Sequence, residues 1–323
     1  MSAAAAAAAA AARGWAPRRS ALFLPGSHAR ALAKARTLPA DVIIVDLEDA
    51  VAPAAKAAAR AAAVAELARG GFGARELVLR VNGADTPWGA DDLDAAAGIA
   101  AHVSAVLLPK VEAPATLAAA RAALAAHSAA AARLPLWAMI ETPRGVLAAQ
   151  RTADAGARDH GLACLVAGTS DLAKELRARH TRDRAPLLTA LSLVVLAARA
   201  AGLAALDGVH LDLADADGLE AACAQGRALG FDGKTLIHPS QLAAANAAYG
   251  PTAEDADAAR RVLLAHAEAE AQGAGVAVVD GKLVEALHVH EARATLAQHA
   301  ALLERGVGLG PAGGLPVVDK PRG

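Results

Sequence analysis

Glu141 closes the apolar run Leu136-Trp137-Ala138-Met139-Ile140, and no Lys or Arg lies within that run to neutralise it. One unit later, Asp171 follows Gly168-Thr169-Ser170 at the end of the next apolar run. If the two runs are neighbouring parallel strands, both carboxylates reach one mouth. Two hard oxygen ligands with room for water and substrate oxygens suit Mg²⁺. Asp171 taken alone is equally well a helix N-cap, so the spacing leaves both roles open. The two cysteines, Cys164 and Cys223, each sit inside an apolar stretch and form no Cys/His ligand set, which argues against zinc and against a disulfide framework.

Other apolar runs also end in ionisable groups: Asp46-Leu47-Glu48-Asp49, Arg80-Val81-Asn82, Pro109-Lys110, Asp207 to Asp212, and Lys234 to His238. A single strand-end acid is usually a cap, but Arg80, Lys110 and Lys234 cannot cap helix N-termini. The set as a whole therefore points to one reactive mouth. Lys110 and Lys234 are expected to pair with the acids Asp46, Glu48 and Asp49 in preference to a phosphate. His238 is expected to hydrogen-bond near the mouth, and His288, His290 and His299 to be surface or packing residues.

The elements that must position these groups alternate regularly. Strand-like runs fall at 21–24, 42–46, 77–81, 105–109, 136–141, 163–168, 204–210 and 235–238, separated by Ala-rich stretches of helix formers. Continuous apolar runs between amphipathic helices indicate buried parallel strands. Eight such units fit a (β/α)8 TIM barrel better than an open sheet, and no glycine-rich dinucleotide fingerprint follows any strand. The barrel is expected over 18–248. A small C-terminal helix-hairpin-helix appendage should follow over 249–305, with Thr252 and Asp255 as a capping box, a turn at Asp280-Gly281, and a last helix from about Glu291. Residues 1–17, mostly alanine, are expected to be a low-complexity, disordered extension rather than a transit peptide, and 306–323 a flexible tail.

Composition narrows the class further. The chain has 323 residues, a net charge of −1 and 20% charged residues, without the basic excess of a nucleic-acid binder. Alanine inflates the apolar content, and the longest strongly apolar stretch, 187–198, is too short for a bilayer and contains Thr189 and Ser192. A cytoplasmic protein without membrane partners is the expectation.

Six segments resemble the citrate lyase β-subunit-like (CitE-like) family of CoA-ester lyases in the HpcH/HpaI aldolase superfamily. They are Arg19-Ser20-Ala21-Leu22-Phe23-Leu24-Pro25-Gly26, Asp46-Leu47-Glu48-Asp49-Ala50-Val51, Leu79-Arg80-Val81-Asn82, Leu108-Pro109-Lys110-Val111-Glu112, Ile140-Glu141-Thr142-Pro143-Arg144-Gly145, and Gly233-Lys234 through Ile237-His238-Pro239-Ser240-Gln241. They come in family order over nearly the whole chain. The resemblance implies a Mg²⁺-dependent lyase that reversibly cleaves a 3-hydroxyacyl-CoA of the malyl-, citramalyl- or citryl-CoA type to acetyl-CoA and a 2-oxo acid. It implies Glu141 and Asp171 as metal ligands, Arg80 as the substrate arginine, and Arg30 and Lys34 in the region that receives CoA.

One departure stands out. Family members with this appendage carry an Asp after the hairpin that serves as acid/base in a neighbouring subunit, but here the run is Gly281-Lys282-Leu283-Val284-Glu285-Ala286-Leu287. Glu285 therefore stands where Asp is expected, one methylene longer. Its role across a subunit boundary would require a homotrimer or higher homo-oligomer. Other readings are a CoA-thioester hydrolase on the same site, a citrate lyase β subunit acting on an acyl-carrier protein thioester, and a catalytically silent CoA-binding protein.

Overall fold

The computed structural model describes residues 17–274 and 276–304, so most of the alanine-rich extension and the tail expected from 306 lie outside the described residues. Its contacts divide the chain into two compact units, one over Arg18–Tyr249 and a second that starts at Gly250. In the first unit eight parallel strands close into a barrel in sequence order. They are β1 (Ser20–Pro25), β2 (Val42–Asp46), β3 (Glu76–Arg80), β4 (Ala105–Leu108), β5 (Leu136–Ile140), β6 (Leu162–Ala167), β7 (Ala204–Asp207) and β8 (Gly233–Leu236). The expected (β/α)8 barrel is thus present. The seventh strand ends at Asp207, shorter than expected, because its pairing with β8 ends at Asp207 and Lys234, and His210 lies in a loop.

Helices cover the outside: α1 (Ala29–Ala35), α2 (Lys56–Arg69), α3 (Gly89–Gly98), α4 (Pro114–His127), α5 (Pro143–Ala155), α6 (Thr169–Glu175), α7 (Leu188–Ala200), α8 (Ala216–Leu229) and α9 (Leu242–Tyr249). Strand residues alternate between two cores, as closure demands. Val42, Ile44, Val78, Leu107, Trp137 and Val166 fill the barrel interior. Ile43, Val45, Leu79, Val106 and Leu165 face the helices. Alanine on the inner faces of the helices, such as Ala59, Ala63, Ala149 and Ala198, lets them sit close to the strands. Register then decides which strand ends meet. Asp46 pairs with Arg80 across β2 and β3, and Ile140 pairs with Ala167 across β5 and β6.

The start of β1 is held by two local devices, one toward β8 and one toward β2. A Cβ on Gly233 would lie 1.8 Å from the Arg18 carbonyl oxygen, so only glycine lets these strands approach. Arg19 is fully buried and donates from Nε and its backbone N–H to Asp41 Oδ2 (2.8 and 2.9 Å), and from Nη2 to Asp41 Oδ1 (3.0 Å).

The second unit contains α10 (Ala253–Ala271), an antiparallel hairpin of β9 (Ala277–Val279) and β10 (Lys282–Val284), and α11 (Ala286–Glu304). Thr252 and Asp255 form the expected capping box, and Asp280 and Gly281 both adopt positive φ (49° and 75°), the conformation a two-residue hairpin turn needs. The last helix starts at Ala286 rather than Glu291. Its first turn is held because Val289 is buried beside Ala277 and Val284, and because the N–H groups of His288 and Val289 donate to the Glu285 carbonyl (3.0 and 3.3 Å). No helix among the described residues is long and apolar enough to cross a membrane.

Removing one partner of the buried Arg19–Asp41 pair leaves an uncompensated charge, so Asp41→Ala should lower unfolding free energy by about 3–5 kcal/mol. Urea denaturation would read this as a lower midpoint. Burial pushes both thiols up, that of Cys223 to about 11. Neither buried cysteine should react with a thiol reagent at pH 8 in the native protein, and both should react in denaturant.

Candidate active site

The register of β2 and β3 sets Arg80 beside Asp46, and the two form a bidentate pair: Nε donates to Oδ1 (2.7 Å) and Nη2 to Oδ2 (2.6 Å). Arg80 Nη1 lies 2.8 Å from Glu48 Oε2 and 3.5 Å from Asp49 Oδ2, and the guanidinium stacks over Phe23 at 4.9 Å. Burial disfavours the Arg80 charge, but the charge and hydrogen bonds of Asp46, then Glu48 and Asp49, hold its pKa above the ordinary value.

The loop after β2 is shaped for this. Asp46 accepts from its own downstream backbone, the N–H groups of Glu48 (2.8 Å) and Ala50 (3.0 Å), in the manner of an Asx turn. The ammonium of Lys56, buried at the start of α2, donates to the carbonyls of Leu47 (2.8 Å) and Glu48 (2.7 Å) and to Asn82 Oδ1 (2.7 Å). Asn82 in turn donates to the Leu47 carbonyl and to Asp92. One buried cation therefore fixes the backbone that carries three acids.

Lys110 joins this cluster to the next. Its backbone is left-handed (φ 47°), a costly conformation for lysine, and it aims the N–H at Glu141 Oε1 (2.8 Å). Its ammonium donates to Glu48 Oε1 (2.5 Å) and lies 3.4 Å from Asp171 Oδ2. Partial burial opposes that charge, but Glu48 and then Glu141 raise the Lys110 pKa. Glu141 is buried against Gly168, where a Cβ would lie 2.3 Å from Glu141 Cβ and 2.5 Å from Oε2. Burial first, and then the charge of Glu48, push the Glu141 carboxyl up to about 7. Burial also raises the Glu48 carboxyl, against the pull of Arg80 and Lys110.

Asp46, Asp49, Arg80, Glu141 and Asp171 line one cavity of about 350 Å³ at the carboxyl ends of the strands. Asp171 lies in the first turn of α6, whose N-cap position is Gly168, and it lines the cavity within 3.4 Å of Lys110 Nζ. Five carboxylates in this network (Asp46, Glu48, Asp49, Glu141, Asp171) face two cations (Arg80, Lys110), a formal charge of −3. Among the described residues no three acid, His or Cys side chains converge as a ready-made cage. Two carboxylates with the remaining positions open to water and substrate fit a hard divalent cation, and the acid excess that raises Glu141 is what such an ion relieves.

The structure thus brings together Arg80, Glu141 and Asp171. Arg30 and Lys34 lie on the exposed face of α1, pair with no acid among the described residues, and do not line this cavity. Glu285 belongs to the second unit, where it is exposed and its backbone N–H donates to His288 Nδ1 (3.0 Å). The expected pairing of Lys234 needs correction. It is fully buried and donates to Asp207 Oδ2 (2.9 Å) and the Gly208 carbonyl, because β8 adjoins β7 whereas Asp46 is satisfied by Arg80. His238 stiffens the turn after β8 by accepting from the Ser240 N–H (3.2 Å). His299 is buried, as a packing residue is. Lys56 was not among the candidates, because a lysine at a helix start carries no signal of its own.

Gly168→Ala should keep the fold but displace Glu141, lowering divalent-cation affinity at least about tenfold by calorimetry, as a misplaced ligand does. Lys56→Met should release the 46–49 loop, visible as faster amide exchange at Glu48 and Ala50 while the far end of the barrel is unchanged.

Residues 19–239 match the family model described as HpcH/HpaI aldolase/citrate lyase. A protein named (3S)-malyl-CoA thioesterase from Cereibacter sphaeroides is 49% identical over 287 residues, covering 88% of this chain and 96% of that one. Citrate lyase subunit beta of Escherichia coli is 35% identical over 87% of this chain and 93% of its own length. The crystal structure of CitE from Mycobacterium tuberculosis in complex with magnesium, acetoacetate and coenzyme A aligns with a TM-score of 0.70 at 32% identity, over 87% of this chain and 97% of that one. With a closed barrel, an acid-rich mouth and this likeness along most of its length, the chain belongs to the HpcH/HpaI aldolase/citrate lyase family.

Proposed function

We propose that the chain is a Mg²⁺-dependent enzyme that hydrolyses the CoA thioester of a short 3-hydroxy dicarboxylic acid, of the (3S)-malyl-CoA type. The observation that carries this reading is the placement of Glu141, Asp171 and Arg80 in one cavity, in a chain 49% identical to a protein of that name. Glu141 and Asp171 hold the metal. When bound, Mg²⁺ supplies a Lewis acid and a template for the carboxylate and hydroxyl oxygens of the acyl group.

Arg80 supplies the second charge. Its five N–H donors are not all spent on Asp46 and Glu48, and an Nη2 N–H is left to face the thioester carbonyl. As water adds to that carbon, negative charge grows on the carbonyl oxygen, and a guanidinium already fixed by Asp46 stabilises it without reorganising. The C–S bond then breaks and the thiolate takes a proton. Glu285, offered by a neighbouring copy in a homotrimer or higher oligomer, serves as the carboxylate that accepts the proton of water. Arg30 and Lys34 on α1 receive the CoA moiety.

Carbon–carbon cleavage is the second reading, favoured by the family description and the likeness to citrate lyase subunit beta. It uses the same parts: Arg80 faces the oxygen of the acetyl-thioester enolate, and Glu285 returns the proton to carbon. The products separate the readings. Malyl-CoA should yield free CoA and malate on hydrolysis, but acetyl-CoA and glyoxylate on cleavage.

With Mg²⁺ and malyl-CoA, free thiol and malate should appear together, and EDTA should abolish both. Glu141→Gln should lower kcat/KM at least about a hundredfold. Acetyl-CoA with a 2-oxo acid as the main products would move the assignment to the lyase. Absence of turnover of malyl-, citramalyl- and citryl-CoA by folded, Mg²⁺-loaded protein would leave a silent CoA-binding protein. Mixing inactive Glu141→Gln and Glu285→Gln chains should restore partial activity if the two carboxylates serve one site from different copies.

A further inference from the structure

A second cavity, of about 290 Å³, adjoins the first at the same end of the barrel, and the two share Thr169, Val209 and Leu211 in their walls. Its charge is of the opposite kind. The segment after α6 places Arg177, Arg179, Arg182 and Arg184 within eight residues, and the last three line the cavity with His180 and His210.

Arg184 is held in a left-handed conformation (φ 55°), and its Nη1 donates to both oxygens of Asp207 (2.8 and 2.7 Å). Lys234 binds the same carboxylate, so two cations share one buried anion and a positive charge is left over beneath the cavity. Arg182 is matched by Asp215 at 2.9 Å, and Asp212 is an exposed acid on the rim. Arg179 and His180 pair with no acid among the described residues. His210 lines the cavity, and its Nε2 is buried without a hydrogen-bond partner among the described residues.

We propose that this second cavity binds a phosphoryl group. Donors come from separate positions around the void, on the arginine segment, at Thr169 and at His210. A phosphoryl group presents three oxygens in three directions, whereas a carboxylate presents two in one plane. The group belongs either to the CoA of the substrate or to a free phosphorylated molecule. Binding requires no turnover, so the inference stands apart from the hydrolase reading.

Calorimetric titration of the full chain with pyrophosphate and with adenosine 3′,5′-bisphosphate, without Mg²⁺, tests it. Both should bind, and Arg179→Met should weaken binding about tenfold, the scale of one charge-assisted contact. His210→Phe should weaken it as well. A KM raised by Arg179→Met for malyl-CoA but not for malyl-pantetheine would assign the phosphate to CoA; an unchanged KM with weakened pyrophosphate binding would assign it to a free ligand. Absence of pyrophosphate binding, binding indifferent to Arg179→Met, or binding of malate in place of pyrophosphate would overturn the proposal.

Discussion

The bidentate pair between Arg80 and Asp46 is the interaction on which the barrel mouth depends. An isolated guanidinium at this depth would cost several kcal/mol, so the site must supply carboxylates in return. Asp46 does so from the adjoining strand, and Glu48 and Asp49 follow from the turn that Asp46 itself organises. That answer over-compensates. It leaves more negative charge than Arg80 can match, and the surplus passes through Glu48 to Lys110 and on to Glu141 and Asp171. The barrel mouth is thus tuned by one chain of charges rather than by independent residues.

The two neighbouring cavities divide this charge. The acids gather where the loops after β2, β5 and β6 meet, whereas the arginine segment after α6 gathers beside β7. Thr169 lies in the wall of both. A substrate with a chelating acyl end and phosphoryl groups elsewhere would meet opposite potentials at one end of the barrel, which orients it before any close contact forms. The left-handed backbones of Lys110 and Arg184 stand at these two places, one in each network. Both are conformations that the surrounding hydrogen bonds must over-determine.

Most of the fold was legible in the chain. Val42 to Val45 and Leu136 to Ile140 are continuous apolar runs because parallel barrel strands bury both faces, and alanine-rich helices between them fix the count at eight. Thr252 with Asp255, and Asp280 with Gly281, announced the α10 start and the hairpin because capping and positive φ are local chemistry. The start of α11 was not legible. It depends on Val289 packing beside Ala277 and Val284, and no local signal encodes that contact.

For the site, strand position and residue type placed Arg80, Glu141 and Asp171 at one mouth, while their roles came from the family resemblance, since position alone does not separate a helix cap from a ligand. Partnership was another matter. That Lys234 binds Asp207 and Arg80 binds Asp46 follows from register between neighbouring strands, a property of the closed sheet and not of either segment. The buried clamp of Lys56 on Leu47, Glu48 and Asn82, the rise of Glu141 to about 7, and the unpartnered nitrogen of His210 exist only once distant residues exclude water from a shared space. Residue types along the chain fixed which chemistry was available, and the tertiary structure decided which charges met, because burial and register are set between elements.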